Sequence, residues 1–203
     1  MDSLKFETIK LLEPDTKKGK NFMEILSKRH SEREYSGKNL TLKQISELLW
    51  VCYGQSHNEN KNKTVPSGLS VYPLELYIVF KDSIFKYNPE ANELIPLKQG
   101  NYYDKVSMGI QNYVNNSALN ILIYTNLNKN SGNEKYDELA KKNPNLKIKS
   151  ACIEAGCISE NAYLYCENEG LKTICRALCD GKFFADLLGL QHHEFITSVC
   201  VGV

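Results

Sequence analysis

The segment IKSACIEAGCISENAYLYCENEGL, opening at Ile148, constrains this chain more than any other. It reads as one helix of about 22 residues ending at Gly170. Ala151, Ala155, Ser159 and Ala162 recur along it at steps of three and four. Such a small-residue face lets a second helix approach closely, which predicts the centre of a two-helix or dimer contact.

The remaining elements are arranged around that helix. Asn21, with Glu24 three residues on, marks a helix start, and Phe22, Ile25, Leu26 and Arg29 follow helical spacing to an end near Ser31. Thr41 and Gln44 form a second capping pair, followed by Leu42, Ile45, Leu48, Leu49 and Cys52 on one face, with Gly54 expected as a left-handed cap. Leu74 to Phe80 is dense in β-branched and aromatic residues and reads as a strand. SIFKYNPEANELIPL reads as a hairpin turning at Asn88-Pro89. A helix over 104–115, a buried strand over 118–125 and a short helix near 134–142 precede the long helix. A strand over 172–176, a helix over 182–188 and a strand over 195–202 follow it. Strands separated by helices and one hairpin predict an α+β fold with a mixed, mostly antiparallel sheet flanked by helices. Residues 1–20 read as a polar tail and 21–203 as one domain.

Composition removes several function classes. Lys plus Arg number 25 against 24 Asp plus Glu, so the clustered positive charge of a nucleic-acid binder is missing. No apolar run approaches the roughly 18 residues of a membrane span. The opening MDSLKFETIK has no apolar signal core, which predicts a cytoplasmic protein, with a trimmed export signal as the open alternative. Seven cysteines, an odd number among apolar neighbours, suit reduced side chains better than a disulfide framework. Cys175 and Cys179 with His192 and His193 lack the spacing of a zinc site, so no metal is expected.

Two stretches carry candidate chemistry. SKRHSEREY gathers Lys28, Arg29, His30, Ser31 and Arg33 at a helix exit. A phosphate dianion needs charge-assisted donors at close quarters, and arginine supplies a planar pair. The plainer reading is that these cations complement a helix C-terminus. TVPSGLSVYPLELYIVF places a turn-rich loop, punctuated by Pro66 and Gly68, directly before an apolar strand. Such a loop either lies against a flat ligand or simply enters a core strand. No P-loop or dinucleotide fingerprint occurs, and SGLS lacks the setting of a nucleophile elbow.

In order and spacing, KRHSEREYSGKNLTLKQISELLWVCYG, PSGLSVYPLELYIV, ENAYLYCENEGLKTICRALCDG and ITSVCVGV resemble the nitroreductase family, in particular its short branch similar to SagB-type dehydrogenases. The resemblance runs from Asn21 to Val203. It implies a homodimer holding one FMN in each of two interface sites. Matched by position, Arg29, His30, Ser31 and Arg33 would bind phosphate and ring. Pro66, Ser67, Gly68, Leu69 and Ser70 would lie along the flavin held by the other subunit. Cys175, Arg176 and Ala177 would offer backbone near the reactive flavin nitrogen, and Gln111 would meet the polar edge of the ring. The activity implied is hydride transfer from NADH or NADPH through FMN to a small organic acceptor, with no side chain as catalytic nucleophile. Rival readings are SagB-type oxidation of a peptide azoline, a flavin-binding sensor or store without turnover, and a dimeric structural module. Relatives often carry glycine where this chain has Ala177 and Leu178. Many also extend into a basic C-terminal arm, so ending at Val203 would leave more phosphate charge to Arg29, Arg33 and Arg176.

Overall fold

The computed structural model describes residues 4–57, 62–143 and 145–203. In chain order its elements are β1 (Ile9–Lys10), α1 (Phe22–Lys28), α2 (Leu42–Tyr53), β2 (Gln55–His57), β3 (Asn62–Lys63), β4 (Leu74–Val79), β5 (Ser83–Asn88) and β6 (Glu93–Gln99). Then follow α3 (Tyr103–Ser107), β7 (Leu119–Asn126), α4 (Glu134–Lys142), α5 (Asn145–Glu169), β8 (Lys172–Arg176), α6 (Gly181–Leu188) and β9 (His193–Gly202). Single 3-10 turns occupy Gly68–Ser70 and Asn112–Asn116.

Seven strands form one sheet in the order β1-β6-β5-β4-β7-β9-β8, and every described pair in it is antiparallel. Alternation along the central strands sorts the core onto two faces. Leu76 and Ile78 of β4, Ile121 and Ile123 of β7, and Val199 and Val201 of β9 pack with α2 and α5. Tyr77 and Val79, Leu122 and Tyr124, and Cys200 pack on the other face with Val106 of α3 and Phe184 of α6. The expected α+β fold is the observed one.

One local expectation is narrowed to its two-helix alternative and three are corrected. The small-residue face of α5 turns inward: Ala151, Ala155, Ser159 and Ala162 are all buried within the chain, where they let α2 and the sheet approach. Its exposed side carries Cys152, Ile153, Gly156 and Glu160. The helix expected over 104–115 is interrupted, because Met108 and Gly109 take left-handed φ of 53° and 67° and end α3 after two turns or fewer. Gly54 is extended (φ −70°, ψ 166°) rather than left-handed; glycine is required there because a Cβ would come within 2.4 Å of the Trp50 ring. Part of the expected polar tail is structural, since β1 pairs Ile9 with Leu94 and Leu11 is buried. The two caps divide. Thr41 and Gln44 form the full reciprocal box, whereas Asn21 accepts from Met23 and Glu24 while the Glu24 carboxylate turns to Lys28.

Candidate functional site

Beyond α1 the chain leaves helical geometry at Arg29 (φ −56°, ψ 123°) and runs along the end of the sheet. Glu32 N–H donates to Thr173 O at 3.0 Å and Ser36 N–H to Val203 O at 2.8 Å. This lays Arg29 to Arg33 beside α5 and β8. The Arg29 guanidinium sits 4.9 Å over the Tyr163 ring, with its Nε 3.8 Å from the Glu160 carboxylate. Ser31 Oγ and Tyr163 OH are 2.8 Å apart, and Tyr163 OH accepts the Cys175 N–H at 2.9 Å. One phenol therefore joins two segments that the sequence placed in one site, the helix exit and the Cys175–Ala177 stretch. Tyr163 itself was missed by sequence reasoning, and its only signal was a large polar ring among small helix residues.

The other cations of the exit differ in role. The His30 ring bridges Lys28 O and the Glu32 carboxylate, each at 2.7 Å. Those two contacts, the backbone one first, raise its pKa above the ordinary histidine value. Arg33 is exposed and makes no ion pair among the described residues. Beside His30 and Tyr163 opens a cleft of about 200 Å³ that also meets Glu32 and Thr173. That is below the roughly 300–1,000 Å³ of small-molecule sites.

At the end of β8, Arg176 is only 5% exposed. Its Nε donates to Gln111 Oε1 at 2.6 Å and its Nη2 to the carbonyls of Val106 and Leu178. Its Nη1 is buried with no partner among the described residues. Gln111 and Arg176 are thus brought together, as a buried cation held by neutral acceptors with the two N–H donors of Nη1 spare. The Arg176 carbonyl accepts from Thr197 Oγ1 and Ser198 Oγ, both at 3.1 Å. With Cys175 N–H bonded to Tyr163 and Arg176 buried, Ala177 is the exposed member of that trio.

The Pro66–Leu69 loop stands elsewhere. Ser67 Oγ accepts the Tyr72 N–H at 2.8 Å and closes its base. Leu69, Ser70 and Tyr72 all have left-handed φ, of 55°, 54° and 46°, a conformation that costs a non-glycine residue about 1–2 kcal/mol. Gly68 is not left-handed, and a Cβ on it would meet nothing within 4 Å. Neither a turn requirement nor a close approach inside the chain explains that glycine. Glu154 of α5 supports the loop from below: it accepts from Tyr53 OH at 2.7 Å, and Tyr53 OH accepts from Leu74 N–H at 3.2 Å. Burial raises the Glu154 carboxyl pKa, and hydrogen bonds from Ser67 and Tyr53 oppose that rise. Among the described residues no hydrogen bond or ion pair joins this loop to the Arg29–Arg33 segment. Their supports, Glu154 and Tyr163, lie nine positions apart on α5, about 14 Å along its axis.

Among the described residues no group of three or more His, Cys, Asp or Glu side chains is placed to hold a metal ion. No helix is long and apolar enough to cross a membrane, again among the described residues.

The sequence pattern of the nitroreductase family matches residues 26–203. A Methanocaldococcus jannaschii protein named for that family is 26% identical over 176 residues, 83% of this chain and 83% of its own length. A nitroreductase-type protein of Ralstonia eutropha superimposes in its crystal structure with a TM-score of 0.82 at 27% identity, covering 97% of this chain and 89% of that one. The NADPH:FMN oxidoreductase of Vibrio harveyi, solved in complex with NAD+, shares the fold at a TM-score of 0.58 and 16% identity, covering 90% of this chain and 68% of that one. The family pattern runs from inside α1 through the Tyr163 junction to the last residue, and on that ground the chain belongs to the nitroreductase family, whose members are flavoprotein oxidoreductases.

Proposed function

We propose that two copies of this chain bind one FMN in each of two interface sites and pass hydride from NADH or NADPH to a small organic acceptor. The observation that carries the reading is the Tyr163 junction, which holds Arg29, Ser31 and the Cys175 backbone together. The residues fit the cofactor in kind. Arg29, Ser31 and Arg33 supply the charged and hydroxyl donors that a phosphate dianion recognises. Gln111 and Arg176 meet the polar pyrimidine edge, with the unpartnered Arg176 Nη1 as a donor in reserve. A buried cation there favours negative charge on the ring. The flavin supplies the hydride chemistry; the chain's task is to bind and orient it and to keep water out.

The two-chain arrangement is supported by what one chain leaves uncovered. Ile153 on α5 is 71% exposed, and Phe22 and Met23 on α1 are 60% and 67% exposed. The Pro66–Leu69 loop, remote from the phosphate grip of its own chain, would serve the partner's flavin, and Leu69 already stands out at 53% exposure. All seven cysteines are free, which suits the reducing cytoplasm.

The decisive experiment is the absorbance spectrum of the purified protein before and after anaerobic NADH or NADPH. A flavin spectrum that bleaches supports the reading; a colourless protein that takes up no added FMN overturns it. Arg29→Ala with Arg33→Ala should then weaken FMN by at least about ten- to a hundred-fold, the loss of one charge-assisted contact of roughly 1.5–3 kcal/mol. Full occupancy on dilution of that double variant would remove the phosphate assignment.

A further inference from the structure

β4 and β5 do not pair along their whole length. Their register covers only Tyr77 to Val79 against Lys86 to Ile84, although β5 continues beside β6 to Asn88. The start of β4 and the end of the β5–β6 hairpin therefore diverge, and the wedge between them opens into a cleft of about 580 Å³. That volume falls within the range of small-molecule sites. Its lining is mixed: Tyr53, Tyr72, Leu76, Tyr87 and Ile95 supply apolar surface, and Glu75 and Glu90 face the same space as the lysines.

Three lysines reach this cleft, and two are already engaged. Lys86 Nζ is 2.8 Å from the Glu75 carboxylate, and Lys129 Nζ donates to Tyr72 O at 2.8 Å. Lys63 differs. Its ammonium lies 4.4 Å from the centre of the Tyr53 ring and 5.7 Å from that of Tyr72. No carboxylate among the described residues lies within ion-pair distance of it. Aromatic faces attract a cation but do not replace its hydration. Burial, with Lys129 adding repulsion and Glu90 and Glu154 opposing it, lowers the Lys63 pKa to about 8. An ammonium desolvated in this way is stabilised by an anion.

We propose that this wedge is a binding site for an organic monocarboxylate with an apolar, ring-sized body, its carboxylate on Lys63 and its ring between Tyr53, Tyr72 and the Leu76–Ile95 wall. Among the described residues neither a carboxylate nor a carbonyl is bonded to the Lys63 ammonium, which leaves it to meet a carboxylate, while Glu75 and Glu90 in the lining weigh against a dianion. Among the described residues the cleft offers no arginine fork of the kind that recognises a phosphate dianion. The inference does not rest on the flavin reading, since of the lining residues only Ser70 is among those assigned to FMN, and the proposal uses none of its contacts.

Benzoate is the probe, titrated into the protein as purified while the Lys63 side chain is followed by NMR. Benzoate should shift the Lys63 resonances and raise the Lys63 pKa. Benzamide, its neutral counterpart, and inorganic phosphate should do neither at the same concentrations. Lys63→Met should weaken benzoate by about ten- to a hundred-fold with no loss of melting temperature, because a desolvated charge is removed. Ile95→Trp should fill the wedge and block benzoate while leaving Lys63 in place. Wild-type protein whose Lys63 signals ignore benzoate, equal affinity for benzamide, or unchanged benzoate affinity in Lys63→Met would each overturn the proposal.

Discussion

Tyr163→Phe isolates the junction on which the site is built. The change deletes one oxygen and keeps the ring, so the Arg29 guanidinium retains its aromatic face at 4.9 Å. What disappears is the acceptor for Cys175 N–H and the partner of Ser31 Oγ. A buried donor left unpaired costs about 1–3 kcal/mol. Cys175 is half-buried and Ser31 exposed, so water recovers part of that and the lower half of the range applies. The stability lost is therefore about 1–2 kcal/mol, or a melting temperature lower by roughly 2–8 °C for a chain of this size. FMN affinity should fall by a smaller factor, about twofold, because binding must now order a Ser31 hydroxyl that the phenol had oriented.

The assay is a double-mutant cycle with Ser31→Ala, read by thermal melts of the apoprotein and by flavin fluorescence titration. If Tyr163 orients Ser31, the two changes are non-additive, with a coupling energy of about 0.5–1.5 kcal/mol. A Tyr163→Phe protein that melts with the wild type, or a Ser31→Ala cost identical in both backgrounds, would refute the reasoning.

Three further outcomes are expected. Ala155→Leu should overpack the interior between α5 and α2 and lower the melting temperature by the equivalent of about 1–3 kcal/mol, whereas Ile153→Asp on the outer side of α5 should weaken self-association in sedimentation runs without that loss. Gly68→Val should leave the apoprotein melt within about 0.5 kcal/mol of wild type, since its Cβ meets nothing inside the chain, yet lower flavin affinity; equal affinity would detach the loop from the flavin. The stability difference between Lys63→Met and wild type should depend on pH. With the Lys63 pKa near 8 when folded and 10.5 in the unfolded chain, the unfolded state holds more proton between those values, so wild-type stability from this group rises across that window. The advantage of the methionine variant, full below pH 8, should vanish by about pH 10.5. Cys52 and Cys179, pushed up to about 12 by burial, oppose the rise in both proteins and cancel in the difference. A difference that does not change with pH would mean that Lys63 is not desolvated.

The strand pattern was legible because alternation and β-branched content are local properties, and the two-faced core follows from them directly. The Arg29–Arg33 exit was legible as chemistry for a similar reason: its donors lie within five residues. What stayed hidden depends on a third dimension. Met108 and Gly109 break a helix that reads as continuous, because the chain must turn there toward Gln111 and the buried Arg176. The inward turn of Ala151, Ala155, Ser159 and Ala162 could not be read from spacing, since a small-residue stripe serves equally for packing within a chain and between chains. Tyr163 and Glu154 are invisible for the same reason, as their partners are 132 and 101 positions away in sequence.

Those two residues also show why a single helix organises the whole site. Tyr163 holds the Arg29–Ser31 segment proposed to grip phosphate, and Glu154 braces Tyr53 below the loop, so the rigid α5 sets the distance between these two supports at about 14 Å. In the proposed dimer the same helix is repeated by a two-fold axis, and an isologous contact along its outer side sets both sites at once. A grip from one copy then meets a loop from the other only if the two α5 helices hold one register. This places Gly156, exposed between Ile153 and Glu160, at a position where added bulk would shift that register rather than disturb the fold. A Gly156→Leu protein should accordingly melt no lower than the wild type when flavin-free and monomeric, since leucine is the better helix former, yet lose FMN and dimer together in sedimentation with absorbance detection. Retention of both would detach the flavin sites from the α5 contact.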